Sequence, residues 1–136
     1  MALVPSNMLP LGHALPSFRL DNTVTRTELD SATLHGAPAL VVAFICNHCP
    51  YVKHIFGELS RLGHDLPGLG VGMVGIMSND FENYPDDAPD RMAATAREQD
   101  WTFPYLVDAS QEVAKSYTAA CTPDFFLFDA DHQLVY

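Results

Sequence analysis

The sequence predicts a layered α/β fold, and three observations predict it. Two short, continuously apolar runs, residues 39–45 and 71–77, have the length of strands covered on both faces. A segment at helical spacing follows the first run. A third apolar run, residues 124–129, closes the chain after further helical stretches. Buried strands alternating with helices describe a sheet with helices packed upon it.

The elements follow in order. Residues 1–15 are Pro-rich and are expected to lie extended over the surface, and 17–20 is a candidate short strand with Phe18 and Leu20 on one face. Residues 21–36 are polar and irregular, with a helical turn near 28–34. After the first apolar run, Val52, Ile55, Phe56, Leu59 and Leu62 repeat at helical spacing while Lys53, Glu58 and Arg61 face away. Gly63 and Pro67 are expected to end that helix. The second strand run is followed by a polar, acidic loop, 78–89, and Pro89 suits the first turn of a helix over 88–99. A short strand is expected at 105–107. Asp108 and Gln111 have capping-box spacing and open a helix to Tyr117. Residues 130–132 turn the last run into a hairpin partner at 133–136.

The length of 136 residues suits a single domain. The formal charge of -10 argues against nucleic acid and anionic membrane surfaces as partners. The N-terminus lacks a basic start and a signal-like apolar run, and no stretch is apolar over membrane-spanning length; a cytoplasmic location is the expectation. Three cysteines, Cys46, Cys49 and Cys121, do not make a secreted disulfide scaffold.

Chemistry concentrates at Cys46-Asn47-His48-Cys49, where the first strand meets a helix. Sheets of this kind carry their chemistry at the carboxyl ends of strands. A thiol attacks a disulfide as thiolate, and a helix N-terminus favours an anion; Cys46 is therefore expected to have a lowered pKa. Cys49, one turn on, can resolve a mixed disulfide. His48 is either a cation that tunes the pair or a solvated loop histidine. Two unrelated core thiols fit this placement poorly. A metal-binding module is the reading of another class. Tetrahedral zinc wants four ligands, and only Cys121 with His48, His54 and His64 could add to the pair, so no metal ligand and no cofactor are assigned.

The run from Phe44 to Pro50, followed by Thr122-Pro123-Asp124-Phe125-Phe126-Leu127-Phe128, resembles the thioredoxin-like superfamily. With Ser78-Asn79-Asp80-Phe81-Glu82-Asn83-Tyr84-Pro85 and Phe103-Pro104-Tyr105, it is most similar to the peroxiredoxin-like proteins of the alkyl hydroperoxide reductase/thiol-specific antioxidant branch that carry a Cys-x-x-Cys motif. The resemblance implies a central mixed sheet flanked by helices. It implies a thiol–disulfide oxidoreductase acting on protein or small-molecule disulfides, or on peroxides, and recharged by a cellular dithiol reductant. Cys46 would be the nucleophile, Cys49 its partner, Pro123 the cis-proline and Thr122 the residue lining the substrate groove. Cys121, just before that step, is either a third redox thiol or, as we favour, a small buried hydrophobe. The buried acid that thioredoxins carry on the strand before the nucleophile has no counterpart in 39–45; Asp80 could substitute, or be solvated.

The Cys49–Pro50 step also resembles peroxiredoxins, with Cys49 then attacking peroxide. Their Thr or Ser three residues earlier and Pro seven earlier are here Cys46 and Val42, which favours disulfide exchange. Relatives usually continue through a final helix, so the resemblance implies a layer beyond Tyr136. An apolar face without that layer predicts association, such as a homodimer. The acidic run 80–90 is expected to be a solvated loop, with carboxylates that could hold a divalent ion weakly as the alternative.

Overall fold

A computed structural model describes residues 9–34, 37–119 and 121–136. The first eight residues of the expected N-terminal arm lie outside the described residues. Leu9 packs in the core, and Ala14 bridges to Gln133.

The strands are β1 (Arg19–Asn22), β2 (Thr27–Asp30), β3 (Ala39–Phe44), β4 (Val71–Met77), β5 (Tyr105–Val107) and β6 (Asp124–Asp129). The α-helices are α1 (Pro50–His54), α2 (Phe56–Asp65), α3 (Pro89–Glu98) and α4 (Glu112–Ser116). The strands form one six-stranded sheet in the order β2-β1-β5-β4-β3-β6. β3, β4 and β5 run parallel, while β6, β1 and β2 are added antiparallel. This is the mixed sheet flanked by helices that the resemblance implied.

β3 and β4 are central, and their unbroken apolarity has the expected cause: both faces are covered. Leu40, Val42 and Phe44 point into one core with Val74, Ile76, Tyr117, Phe126 and Phe128. Ala43 and Ile45 point into the other with Val52, Leu59, Met77, Met92, Trp101 and Tyr105. Cys46 and Cys49 belong to this second core.

Several elements depart from the expectations. The first strand starts two residues later than expected, and the region read as irregular contains β2 and a 3-10 turn, Ser31–Leu34. β2 is an edge strand with exposed Thr27 and Glu28, so it carries no apolar alternation to read. Cross-strand pairs of Arg19 with Glu28 and Asp30 line it instead. The single helix expected over the 52–62 stripe is two, broken at Ile55. Gly63 does not end α2 but lies within it, where an added Cβ would stand 2.9 Å from Thr102 Oγ1. Helicity passes at Leu66 into a 3-10 turn containing Pro67.

The capping box does not form either. Gln111 takes a left-handed conformation at the N-cap of α4, φ 65°, with no side-chain cap. The buried Asp108 carboxylate accepts from Ala114 N–H at 2.9 Å and Val113 N–H at 3.4 Å, reaching further along the chain than the motif requires. Phe128 bridges to Leu134, so the closing hairpin is a bridge rather than a strand.

Candidate active site

The site begins where β3 leaves the sheet. Ile45 N–H still donates to Ile76 carbonyl at 3.0 Å, and the chain then turns through Cys46, Asn47 and His48. Cys49 is the N-cap of α1, Pro50 fills the first turn, and Lys53 N–H closes that turn onto the Cys49 carbonyl at 2.9 Å. Cys46 thus lies three residues ahead of the cap of a helix only five residues long.

The Thr122–Pro123 bond is cis, as the resemblance implied. Thr122 touches both sulfurs. Its hydroxyl lies 3.6 Å from Cys46 Sγ, and its carbonyl accepts from Cys49 Sγ at 3.6 Å. Cys46 Sγ also receives the Cys49 N–H. Both cysteines are thiols, not a disulfide.

The lowered pKa expected for Cys46 is overturned. Burial pushes its thiol up to about 11, the negative charge of Asp87 adds to the rise, and the neighbouring Cys49 sulfur acts in the same direction. The Thr122 hydroxyl and the Cys49 N–H act in the opposite direction without prevailing. One short helical turn, offset from the sulfur, does not outweigh loss of water around the anion.

The acidic loop is not uniformly solvated. Asp87, in the 3-10 turn Pro85–Asp87, is fully buried. Its Oδ1 accepts from Asn47 N–H at 2.6 Å and from His48 N–H at 3.3 Å. Its Oδ2 pairs with His48 Nδ1 and accepts from Asn79 Nδ2 at 3.1 Å. Two backbone donors, an amide and an imidazole replace the water a buried carboxylate loses. Asp80, the acid proposed from sequence, is exposed and caps its own loop through Glu82 N–H, so it is no part of the site.

His48 is not a solvated loop histidine. It pairs with Asp87 and stacks on Tyr84, ring centroids 4.8 Å apart and 4° from parallel. Asn47 is held from three sides: its N–H by Asp87, its Nδ2 by the Asp86 carbonyl at 2.7 Å, and its Oδ1 by the Tyr105 hydroxyl at 2.9 Å. Sequence reasoning missed Asp87, Tyr84 and Tyr105 as members of the site. The one available signal for Asp87 was Pro89, which marks a helix start and so places Asp87 at the end of the loop that follows β4.

Cys121 is half-buried, not a fully buried hydrophobe. It lines a groove of about 270 Å³ with Thr122, Phe44, Ser78, Gln111 and Lys115. The structure therefore gathers Cys46, Asn47, His48, Cys49, Thr122 and Pro123, sets Cys121 alongside, and leaves Asp80 out. The sequence assigned no metal ligand, yet donor atoms of Cys46, His48 and Asp87 all lie within 4.8 Å of one another.

The model of the AhpC/TSA family matches residues 11–136. This chain belongs to the AhpC/TSA family. An uncharacterized conserved protein from Geobacillus kaustophilus superposes on this AhpC/TSA chain with a TM-score of 0.97 at 49% identity, covering 100% of this chain and 72% of the other. A hypothetical protein from Sinorhizobium meliloti does so at 0.93 and 43%, covering 96% and 71%. A secreted disulfide oxidoreductase of Mycobacterium tuberculosis, homologous to Escherichia coli DsbE, reaches 0.73 at 21%, covering 87% and 80%, and shares the thioredoxin-like fold. No curated protein matches the chain.

Proposed function

We propose that this AhpC/TSA protein is a thiol–disulfide oxidoreductase in which Cys46 and Cys49 cycle between dithiol and disulfide. The observation that carries the reading is the contact of one residue, Thr122 of the cis step, with both sulfurs at 3.6 Å. Cys46, as thiolate, attacks one sulfur of a substrate disulfide and expels the other as a thiolate. Cys49 then attacks Cys46 of the mixed disulfide and releases the second substrate sulfur. One substrate disulfide becomes two thiols and the protein dithiol becomes a disulfide, with two electrons passed. A cellular dithiol reverses the protein half of the cycle.

Two features govern entry to this cycle. The Cys46 proton is held tightly, so it must leave before the sulfur attacks, and the Thr122 hydroxyl and the His48–Asp87 pair are polar groups beside it. Neither cysteine exposes surface at rest. Thr122 both lines the groove and touches the sulfurs, so a substrate docking in the groove is proposed to reach Cys46 by displacing Thr122. We place this activity in the cytoplasm, on the sparse cysteine content alone.

Dithiothreitol-driven reduction of insulin tests the reading. Wild type is expected to accelerate it and Cys46→Ser to abolish the acceleration. Equal performance of the two overturns the assignment. Peroxide consumption in parallel separates a peroxidase: faster consumption than by a simple thiol, lost in Cys49→Ser, would move the activity to the peroxide branch.

A further inference from the structure

Three donors of different chemistry meet beside the dithiol: a thiol, an imidazole and a carboxylate. Cys46 comes from the end of β3, His48 from the turn into α1, and Asp87 from the 3-10 turn before α3. Their donor atoms lie within 4.8 Å of one another, and Cys46 and Asp87 are fully buried. Ligands around one tetrahedral zinc ion, at about 2.0–2.3 Å from it, stand roughly 3.3–3.8 Å apart. Closing the wider separations by about 1 Å, and opening the His48 Nδ1–Asp87 Oδ2 hydrogen bond so that both residues turn to the ion, brings this set to coordinating distance.

The surroundings are those of a supported ligand set. Asp87 Oδ1 is oriented by the Asn47 and His48 N–H groups and Oδ2 by Asn79, while the His48 ring is fixed in plane by Tyr84. Such outer contacts hold metal ligands in position. A thiolate, a neutral imidazole and a carboxylate carry two negative charges, which match one divalent ion. The mix of sulfur, nitrogen and oxygen suits borderline-soft Zn2+ better than Mg2+ or Ca2+, which prefer oxygen alone.

We propose that Cys46, His48 and Asp87 form a three-ligand zinc site that exists only in the dithiol form of the protein. Cys49 is not a ligand, since its Sγ faces the Thr122 carbonyl. Zinc occupies the attacking sulfur and slows disulfide exchange, because the zinc–sulfur bond must break as the new bond forms. A disulfide oxidant reverses this: Cys46 sulfur transfers its bond from zinc to one oxidant sulfur, expelling the other as thiolate, and Cys49 thiol displaces the first as thiol. The products are the Cys46–Cys49 disulfide, one thiolate, one thiol and Zn2+. This gating rests on the disulfide proposed above; the site itself rests on the geometry alone.

The experiment is competition of reduced, metal-stripped protein with a chromophoric chelator for Zn2+ under anaerobic conditions, supported by the ultraviolet thiolate-to-metal band on adding Cd2+. One equivalent is expected to bind. Cys46→Ser, His48→Ala and Asp87→Asn should each weaken binding at least about tenfold, and Cys49→Ser by less than that. Circular dichroism of each variant separates lost ligation from lost folding. Protein oxidised with oxidised dithiothreitol, its thiol loss verified by mass, should not compete for the ion. No stoichiometric binding by reduced wild type overturns the proposal. So does binding lost in Cys49→Ser yet kept in His48→Ala and Asp87→Asn, which is chelation by the cysteine pair alone. Undiminished binding to the disulfide form overturns the gating. Zinc bound as expected by a protein inactive on insulin keeps this site and removes the oxidoreductase reading; an active protein that ignores zinc does the reverse.

Discussion

The Tyr105 hydroxyl donates to Asn47 Oδ1 at 2.9 Å, and both side chains are buried. This bond ties β5 to the middle of the Cys-x-x-Cys turn across the intervening strand β4. Tyr105→Phe keeps the ring among Trp101 and its neighbours but leaves the Asn47 oxygen without that donor. A buried acceptor so deprived costs about 1–3 kcal/mol. Urea unfolding should show the midpoint falling with an unchanged slope; an unaltered midpoint would mean that another group satisfies Asn47.

The thiol of Cys46 is expected to titrate near pH 11 in reduced, chelator-treated protein. Thiolate absorbance of wild type minus Cys46→Ser reads this directly. The folded state holds the proton more tightly than the unfolded chain, whose thiol has an ordinary value near 9.0. The resulting contribution to stability is therefore complete below about pH 9 and is lost as pH rises towards 11. A midpoint at or below that of a simple thiol would contradict the burial argument.

Two substitutions should move that midpoint in opposite directions. Thr122→Val removes the hydroxyl that favours the thiolate, so the midpoint rises. Asp87→Asn removes a negative charge that opposes it, so the midpoint falls, while loss of paired donors destabilises the fold by about 1–3 kcal/mol. The same difference titration measures both. Shifts of equal sign would show that packing, not charge and hydrogen bonding, dominates.

Gly75 lies in β4, paired with Ala43 of β3, the strand that delivers the cysteines. A Cβ there would stand 2.8 Å from the Phe103 ring and 3.0 Å from Ile45 Cδ1. Gly75→Ala is expected to lose about 1–3 kcal/mol by overpacking. Gly57→Ala, on α2 with nothing within 4 Å of the new methyl, is expected to be neutral or to gain up to about 1 kcal/mol. Chemical denaturation of the pair checks this, and equal effects would remove the steric account.

Legibility along the chain tracked burial. β4 and β6 coincide with the sequence expectation, and β3 ends one residue short of it, because strands apolar on both faces or packed on the core announce themselves. β2 did not, since an edge strand of Thr27, Glu28, Leu29 and Asp30 obeys its neighbour's hydrogen bonds rather than a hydrophobic pattern. The Asp108 cap was misread for a related reason: the carboxylate chooses the N–H groups that geometry presents, not those at motif spacing.

By itself the sequence determined the layered sheet, the position of Cys46-Asn47-His48-Cys49 at a strand end, and the proline that proves cis. Those follow from local pattern and from motif likeness. Only tertiary structure decided which acid reaches the thiols and which way the Cys46 proton leans. Asp80 and Asp87 are indistinguishable as carboxylates in one acidic run. What separates them is that one faces water and the other replaces water with four donors in the interior, where charge acts on a neighbouring sulfur with little screening.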